Sequence, residues 1–176
     1  MSHAPCTAAL LALMLAGPAL SSDFDRMRFT PPDVTLTDGR QQPHPLPDLF
    51  ATKPVVMTFS YTTCASICPI GNAVMAELDD MLGPDVSILT VTIDPTNDTP
   101  AQMARAAAEF GASDRWLWLT GDRDDIGRLL RAVGAPEGPL EFHDPIFVIW
   151  SPGSRRIHRS LSIPEPAEIA ALLPPA

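Results

Sequence analysis

Two cysteines four residues apart, Cys64 and Cys68, are the side chains of this 176-residue protein best placed to do chemistry. They lie in the stretch SYTTCASICPIG, directly after the apolar run PVVMTF. The apolar run predicts a buried strand, and the residues that follow the cysteines have the spacing of a helix. The thiols therefore fall where a strand ends and a helix begins, where ligands gather in open α/β sheets and helical N–H groups favour a thiolate.

Paired cysteines can form a structural disulfide, a redox couple or a metal clamp. A structural bridge across four residues would stabilise little, because a disulfide acts mainly by closing a long loop. A C-x-x-C redox motif has two residues between its cysteines, whereas three separate Cys64 from Cys68. The longer spacing favours metal binding, and it still permits a redox disulfide of looser geometry.

Two thiolates alone leave a metal site incomplete, so we expect a third ligand. His143, in the stretch EFHDPIFVIW, precedes a predicted strand and is the best candidate. His44 lies in a proline-rich connector and His158 in a cluster of arginines, so we expect surface positions for both. The candidate site residues are therefore Cys64, Cys68 and His143, with the two cysteines alone serving the redox alternative.

Length and charge limit the class of protein. A chain of 176 residues is long enough for one domain with its own core. Its net charge of −9 argues against a nucleic-acid partner, which needs a basic face. The short basic cluster Arg155, Arg156, His158 and Arg159 is interpreted as a solvated turn. Nothing indicates an obligate interface, so we expect a monomer.

The N-terminal residues are interpreted as an export signal. Ala8–Ala16 is a continuous apolar block, followed by a Gly-Pro break and small residues that suit signal-peptidase cleavage. We expect residues 1–21 to be a signal peptide and Cys6 to be lost with it. An uncleaved anchor is the alternative, because no Lys or Arg precedes the block. The expected location is the periplasm, or the inner membrane facing the periplasm, with membrane contact only if the segment is retained.

The rest of the chain alternates strands and helices. Residues 22–32 are expected to be a polar linker and residues 33–176 the domain. The predicted strands are Val34–Leu36, Val55–Phe59, Val86–Ile93, Trp116–Leu119, Ile146–Trp150 and Ile157–Ser160. The predicted helices are Ile70–Leu82, Pro100–Phe110 with a cap at Asp98 or Thr99, Asp122–Val133 and Pro164–Leu173. The fold class is α/β, with a central mixed sheet flanked by helices on both faces.

Four motifs occur in order along the chain: FSYTTCASICP, TIDPTNDTP, WLWLTG and a histidine just before an apolar strand. Together they resemble the Sco/SenC family of thioredoxin-like copper proteins, over about Val34 to Leu173. The resemblance implies a thioredoxin-like fold in which Cys64, Cys68 and His143 bind one copper, as Cu(I), Cu(II) or both. It also implies a copper chaperone for the dinuclear centre of cytochrome c oxidase, with subunit II as the acceptor. Thiolate with imidazole suits copper or zinc, and soft sulfur favours Cu(I).

The alternative to a copper carrier is an enzyme. A thiol–disulfide oxidoreductase would use Cys64 to attack and Cys68 to resolve, with no need of a histidine. Pro145, two residues after His143, occupies much the position of the cis-proline in redox-active thioredoxins and favours this reading. A peroxidase ranks below both. Whether the protein is an enzyme is left open by the sequence.

Overall fold

The computed structural model describes residues 24–135, 138–140, 143 and 145–175. The strands within these residues are β1 (Phe24–Arg28), β2 (Thr35–Asp38), β3 (Pro43–Pro45), β4 (Val55–Ser60), β5 (Ser87–Thr92), β6 (Trp116–Thr120), β7 (Phe147–Trp150) and β8 (Arg156–Ser160). The helices are α1 (Leu46–Leu49), α2 (Cys68–Met81), α3 (Pro100–Glu109), α4 (Arg123–Ala132) and α5 (Pro166–Ala171). The strands form one mixed sheet in the order β1-β8-β7-β4-β5-β6-β2-β3.

Strand β4 is at the centre of the sheet, and all six of its residues are buried. It pairs in parallel with β5 and antiparallel with β7, and β5 pairs in parallel with β6. A strand covered on both faces is apolar without alternation, which explains the run VVMTF. Its carboxyl end at Ser60 leads directly to the cysteine loop.

The core is divided by the sheet into two layers. Met57 of β4 belongs to the layer that includes Ile126 and Leu129 of α4. Val56, the next residue, belongs to the opposite layer with Met75 and other residues of α2, α3 and α5. Successive side chains of a strand point to opposite faces, so β4 contributes to both layers. The prediction of an α/β fold with helices on both faces is confirmed.

Two stretches that were expected to lack regular structure contain strands. Residues 22–32 were predicted to be a linker, but Phe24–Arg28 form β1 and pair with β8. The proline-rich connector contains β3 and the short helix α1. The linker interpretation is therefore wrong for residues 24–28. An edge strand needs no apolar alternation, and only its tertiary partner identifies it.

The N-terminal predictions lie outside the described residues. These are the signal peptide or anchor at residues 1–21, the fate of Cys6, and the first two residues of the predicted linker. Among the residues that the structure does describe, no helix has the length and apolar character needed to cross a membrane.

Asp98 and Thr99 are the two residues predicted as possible caps of helix α3, and the structure shows that Thr99 caps it. Thr99 is the N-cap: its side chain accepts a hydrogen bond from the Gln102 N–H, and the Gln102 side chain accepts from the Thr99 N–H. This reciprocal arrangement satisfies two backbone donors at the helix start. Asp98 is thereby left for a different task, described below.

Gly39 provides a test of how closely the turn after β2 packs on α3. A Cβ at this position would lie 2.7 Å from the Ala104 Cβ, which cannot swing aside. We expect Gly39→Ala to lower the free energy of unfolding by about 1–3 kcal/mol through overpacking. Denaturant unfolding followed by tryptophan fluorescence measures this change.

Gly83→Ala is the matched control, because no atom lies within 4 Å of the Cβ it would add. We expect it to change the free energy of unfolding by less than about 1 kcal/mol. Equal effects of the two substitutions would contradict the close approach at Gly39.

Candidate metal centre

The cysteine pair lies between the end of β4 and the start of α2. Cys64 is half-buried in the loop, and Cys68, the first residue of α2, is 4% exposed. Both are free thiols, and the Cys68 backbone N–H donates a hydrogen bond to the Cys64 Sγ at 3.3 Å. The predicted proximity of the two sulfurs at a helix N-terminus is thus present in the structure.

The two thiols differ in acidity. Burial alone would raise the pKa of Cys64, but hydrogen bonds from the Cys68 side chain and from the N–H groups of Cys68 and Ser66 lower it to about 7. Burial, followed by the hydrogen bond to Cys64, raises the pKa of Cys68 to about 12. At pH 7 the pair therefore holds about half a negative charge, on the more exposed sulfur, and this charge approaches one as the pH rises above 7.

Asn72, one helical turn after Cys68, is a polar residue of the site that the sequence analysis did not select. It is buried, and its amide NH₂ donates to the Ser60 hydroxyl at 3.0 Å. A hydrogen bond from Ser60 in turn acts to lower the pKa of Cys68, against the larger effect of burial. The pair Asn72–Ser60 therefore fixes the hydroxyl beside the buried thiol. The feature that could have identified Asn72 from the sequence is its position on the face of α2 that packs inward, where an asparagine needs a hydrogen-bond partner.

Asp98 anchors the cysteine loop. It is 0% exposed, and no basic side chain contacts it among the described residues. The Thr62 N–H donates to its two carboxylate oxygens at 3.2 and 3.1 Å, and the Thr62 and Thr92 hydroxyls also donate to it. Hydrogen bonds of this kind replace the lost hydration of a buried carboxylate. Thr62 is two residues before Cys64, so Asp98 holds the loop that presents the thiol.

His143 lies in the loop that precedes β7. Its backbone N–H donates to the Leu140 carbonyl at 3.2 Å, and its Nε2 is buried. The residue lines a cavity of about 670 Å³, whose other walls include Ile93 and the α4 residues Gly127 and Leu130. Neither cysteine lines this cavity. His143 is thus a wall residue of the cavity beside α4.

Two contacts join the histidine loop to the cysteine segment. The Tyr61 hydroxyl donates to the Leu140 carbonyl at 3.4 Å. On the other side, a Cβ added to Gly71 of α2 would lie 3.3 Å from the Pro145 Cβ. The loop thus packs against the first turn of the helix that begins with Cys68. The absence of a side chain at Gly71 permits this approach.

The structure brings together two of the three predicted ligands. Within the described ranges, no three His, Cys, Asp or Glu residues are close enough together to hold a metal ion. His143 as the third ligand therefore stays a prediction. Asp144 lies outside the described residues, and so does the geometry of its bond to Pro145. Of the histidines expected at the surface, His44 is hydrogen-bonded to Asp38 at 3.0 Å and His158 is half-buried in β8.

The mixed sheet, with two free cysteines at the junction of its central strand and a helix, defines a thioredoxin-like α/β protein with a thiol pair. The family model described as SCO1/SenC matches residues 33–136. The chain belongs to the SCO1/SenC family. The match includes both cysteines and Asp98, and it ends before His143.

Relatives and solved structures agree with this assignment. The SCO1 protein homolog of Bacillus subtilis is 40% identical over 67 residues, covering 36% of this chain and 35% of the relative. The chain spans between 27% and 53% of the length of the curated relatives that it matches. BsSco, described as a Sco-family cytochrome c oxidase assembly protein with a disulfide switch, has a TM-score of 0.66 at 26% identity, covering 76% of this chain and 83% of that one.

Arabidopsis thaliana ScoI with copper bound is a further structural neighbour. It has a TM-score of 0.67 at 18% identity, covering 82% of this chain and 94% of that one. At this identity the likeness shows the shared fold. The fold predicted from the motifs, a thioredoxin-like α/β domain, is confirmed.

The unequal acidity of the thiols predicts selective alkylation. We expect iodoacetamide to modify Cys64 with a rate that rises with pH through a midpoint near 7, because the thiolate is the nucleophile. Cys68 should remain unmodified over the same range, since its thiol keeps its proton. Mass spectrometry of peptides at each pH measures both rates.

Cys68→Ser is the informative variant for this experiment. It removes the side-chain thiol that stabilises the Cys64 thiolate and keeps the backbone N–H, so the midpoint should change. A midpoint near 9 in the unmodified protein would contradict the described hydrogen bonds.

Asp98 provides the second prediction for the site. Asp98→Asn keeps the size of the side chain but removes one of two acceptor oxygens, so a buried donor loses its partner. We expect the free energy of unfolding to fall by about 1–3 kcal/mol, and the rate of Cys64 alkylation at fixed pH to change.

Asp94→Asn is the matched control. Asp94 is also buried, but its carboxylate accepts from the Asn97 side chain and makes no contact with Thr62. It should leave the alkylation rate of Cys64 unchanged. An equal change in both variants would show that Asp98 does not hold the loop specifically.

Proposed function

We propose that this protein is a copper-binding metallochaperone that delivers copper to, or prepares the cysteines of, the dinuclear copper centre of cytochrome c oxidase. The observation that carries the proposal is the reduced pair Cys64 and Cys68, in hydrogen-bond contact at the start of α2, in a member of the SCO1/SenC family. A homologous structure described as copper-bound and a relative described as an oxidase assembly protein support it.

The sulfur pair has the chemistry that copper capture needs. About half of Cys64 is ionised at pH 7, far more than of Cys68, so it can bind an incoming soft cation first. Cys68 then loses its proton, because a metal-bound thiol must be deprotonated. Two thiolates favour Cu(I) over harder divalent ions. Copper is the cargo in this scheme, with one ion per chain.

His143 is the proposed third ligand. Neutral imidazole is compatible with both oxidation states of copper, and three protein ligands would leave the ion open to an acceptor. In the structure the residue lines the cavity beside α4. We propose that the imidazole turns toward the thiols when copper binds, since the contacts at Tyr61 and Gly71 keep its loop beside the cysteine segment.

The remaining assignments follow from the same proposal. We place the protein in the periplasm, or on the inner membrane facing it, with residues 1–21 as the export signal or anchor. The proposed acceptor is subunit II of the oxidase. The proposed domain begins before residue 33, because β1 at Phe24–Arg28 is part of the sheet.

A thiol–disulfide oxidoreductase is the second candidate, and the unequal thiols favour it. The Cys64 thiolate would attack a substrate disulfide and form a mixed disulfide, expelling the first substrate thiolate. Cys68 would then lose its proton and attack Cys64, releasing the second thiolate and leaving a Cys64–Cys68 disulfide. The substrate is reduced by two electrons and the protein is oxidised by two. Histidine takes no part in this reaction.

The substitution His143→Ala separates the two functions. We expect it to weaken Cu(I) binding to the reduced protein by at least about tenfold, since it removes one of three ligands. Competition titration with a chromophoric Cu(I) chelator measures the affinity, and a parallel Cu(II) titration gives the preference for oxidation state. Turnover of a model disulfide should be unchanged by the same substitution.

His44→Ala is the matched control. His44 is hydrogen-bonded to Asp38 and lies on the edge strand β3, which three strands separate from β4, the strand that leads to the cysteines. It should bind copper as the unmodified protein does. Equal Cu(I) affinities for all three proteins would remove His143 from the site. Copper affinity too weak to compete with the chelator in any of them, together with disulfide turnover, would favour the oxidoreductase.

A further inference from the structure

The pairing of β1 with β8 creates a basic face that the sequence order does not show. The two strands are antiparallel, with Arg26 opposite His158 and Arg28 opposite Arg156. Directly opposed residues in such a pair share one face, as do residues two apart in each strand. Arg26, Arg28, Arg156 and His158 therefore form a grid, here called the basic face. The interpretation of Arg156, His158 and Arg159 as part of a solvated turn is wrong, because all three lie in β8.

The arginines of the basic face have no carboxylate partner. Arg26, Arg28 and Arg156 are exposed, and none makes a side-chain hydrogen bond or ion pair in the part of the chain that the structure describes. The nearest acid along β1, Asp25, belongs to the opposite face and pairs with Arg159 at 3.0 Å.

The helix packed on the same side of the sheet also leaves the basic face uncompensated. Phe24 of β1 packs in the layer that contains Ile169 of α5. The two acids at the start of this helix, the N-cap Glu165 and Glu168 in the first turn, are joined in a capping box, and neither forms an ion pair with the basic face in the described residues. The pKa of the half-buried His158 is lowered, first by burial and then by the charge of Arg26. The charges of the face therefore repel one another without local neutralisation.

The concentration of arginines on and beside the basic face contrasts with the acidic composition of the whole chain. The chain has 21 acidic and 12 basic residues, yet five of the basic residues lie on β1, β8 or the turn before β8, namely Arg26, Arg28, Arg155, Arg156 and Arg159. Arg28 directly opposite Arg156 is a like-charge pair, which destabilises a sheet. An external anion would relieve this repulsion.

We propose that the basic face binds the anionic headgroups of a phospholipid membrane. Guanidinium groups bind phosphate with two parallel hydrogen bonds, and three of them lie on one face of the paired strands β1 and β8. Among the residues that the structure describes, β1 is the edge strand of the sheet, so no other described strand covers it. The inference does not depend on copper binding.

The apolar block Ala8–Ala16 favours a membrane over an acidic protein as the partner. Only seven residues separate it from Phe24, the first residue of β1. A chain of that length reaches at most about 28 Å, so a block held in a membrane keeps β1 near its surface. The net charge of −9 opposes association of the other faces, and screening beyond a Debye length of about 8 Å lets the basic face act alone.

Membrane contact at this face would also place the cysteine helix on the same side of the domain as the headgroups. β8 ends at Ser160, whose hydroxyl accepts a hydrogen bond from the Phe147 N–H at 2.9 Å. The Phe147 ring lies 3.8 Å from the Cβ position of Gly71 in the first turn of α2. The basic face is thus connected through β8 and β7 to the helix that carries Cys68.

Vesicle co-sedimentation of the full chain tests the proposal. The probes are vesicles of phosphatidylcholine alone and of phosphatidylcholine with phosphatidylglycerol, at low and near-physiological salt. We expect tighter partition into the anionic vesicles and weakening as salt rises. Arg26→Gln with Arg28→Gln should lower that partition by about 25-fold, since each arginine near an anionic surface contributes about fivefold.

Arg105→Gln with Arg131→Gln is the matched control, because both residues are exposed, make no hydrogen bond or ion pair within the described residues, and lie on other elements. Its partition should fall by less than about threefold. A second variant, Arg26→Gln with Arg156→Gln, removes one charge from each strand, and circular dichroism confirms folding of every protein used.

Three results would overturn the proposal. The first is equal partition into neutral and anionic vesicles, which would assign binding to the apolar segment. The second is an equal loss of vesicle partition in the Arg26/Arg28 and the Arg105/Arg131 double variants, which would show that only the net charge of the protein matters. The third is binding to polyglutamate with no preference for anionic vesicles, which would identify an acidic polypeptide as the partner.

Discussion

The buried carboxylate of Asp98 is the constraint on which the cysteine site depends. A polar side chain away from water must be matched by fixed hydrogen-bond partners, and here Thr62 and Thr92 donate to it. Thr92 ends β5, Thr62 belongs to the loop after β4, and Asp98 precedes α3. One side chain thereby joins three segments at the carboxyl end of the parallel strands. The position of the cysteine loop depends on this junction, although no hydrogen bond joins either thiol to Asp98.

The central part of the fold could be predicted from local sequence because its signals are local. The apolar runs of β4, β5 and β7 and the Gly-Pro stop after α2 each reflect burial or chain geometry within a few residues. Strands β1 and β3 could not be predicted in this way. Their residues are mostly polar or proline, and hydrogen bonding to a neighbouring strand makes them strands. The partner of β1 is the remote strand β8, whereas β3 pairs with β2 just before it, so β3 lacked an apolar signal although its pairing is local.

The residues of the candidate site show the same difference between local signals and tertiary contacts. Cys64 and Cys68 are near in sequence, so the start of a helix is sufficient to bring their sulfurs together. His143 is remote, and its position depends on how its loop packs against Tyr61 and Gly71. Asp98 was interpreted as a cap candidate, because an Asp before Thr-Pro has that local meaning. Its burial could be recognised only once the strand ends converged.

The basic face and the cysteine pair show two opposite uses of charge in one small domain. At the thiols, hydrogen bonds to the Cys64 sulfur stabilise its negative charge within the chain, while Cys68 keeps its proton. At Arg26, Arg28 and Arg156, positive charges have no ion-pair partner among the described residues. The first arrangement is stabilised within the chain, whereas the proposed partner of the second lies outside it.

The described residues contain no preassembled three-ligand group, and this bears on how an ion would be released. If the imidazole of His143 completes the coordination only after a rearrangement, part of the binding free energy is consumed in that rearrangement, so the loaded state is weaker than a preassembled three-ligand cage. Detachment of that single ligand returns the ion to two sulfurs with an open coordination position. A recipient's donor atom could then enter before either sulfur leaves, and the ion would never be free in solution.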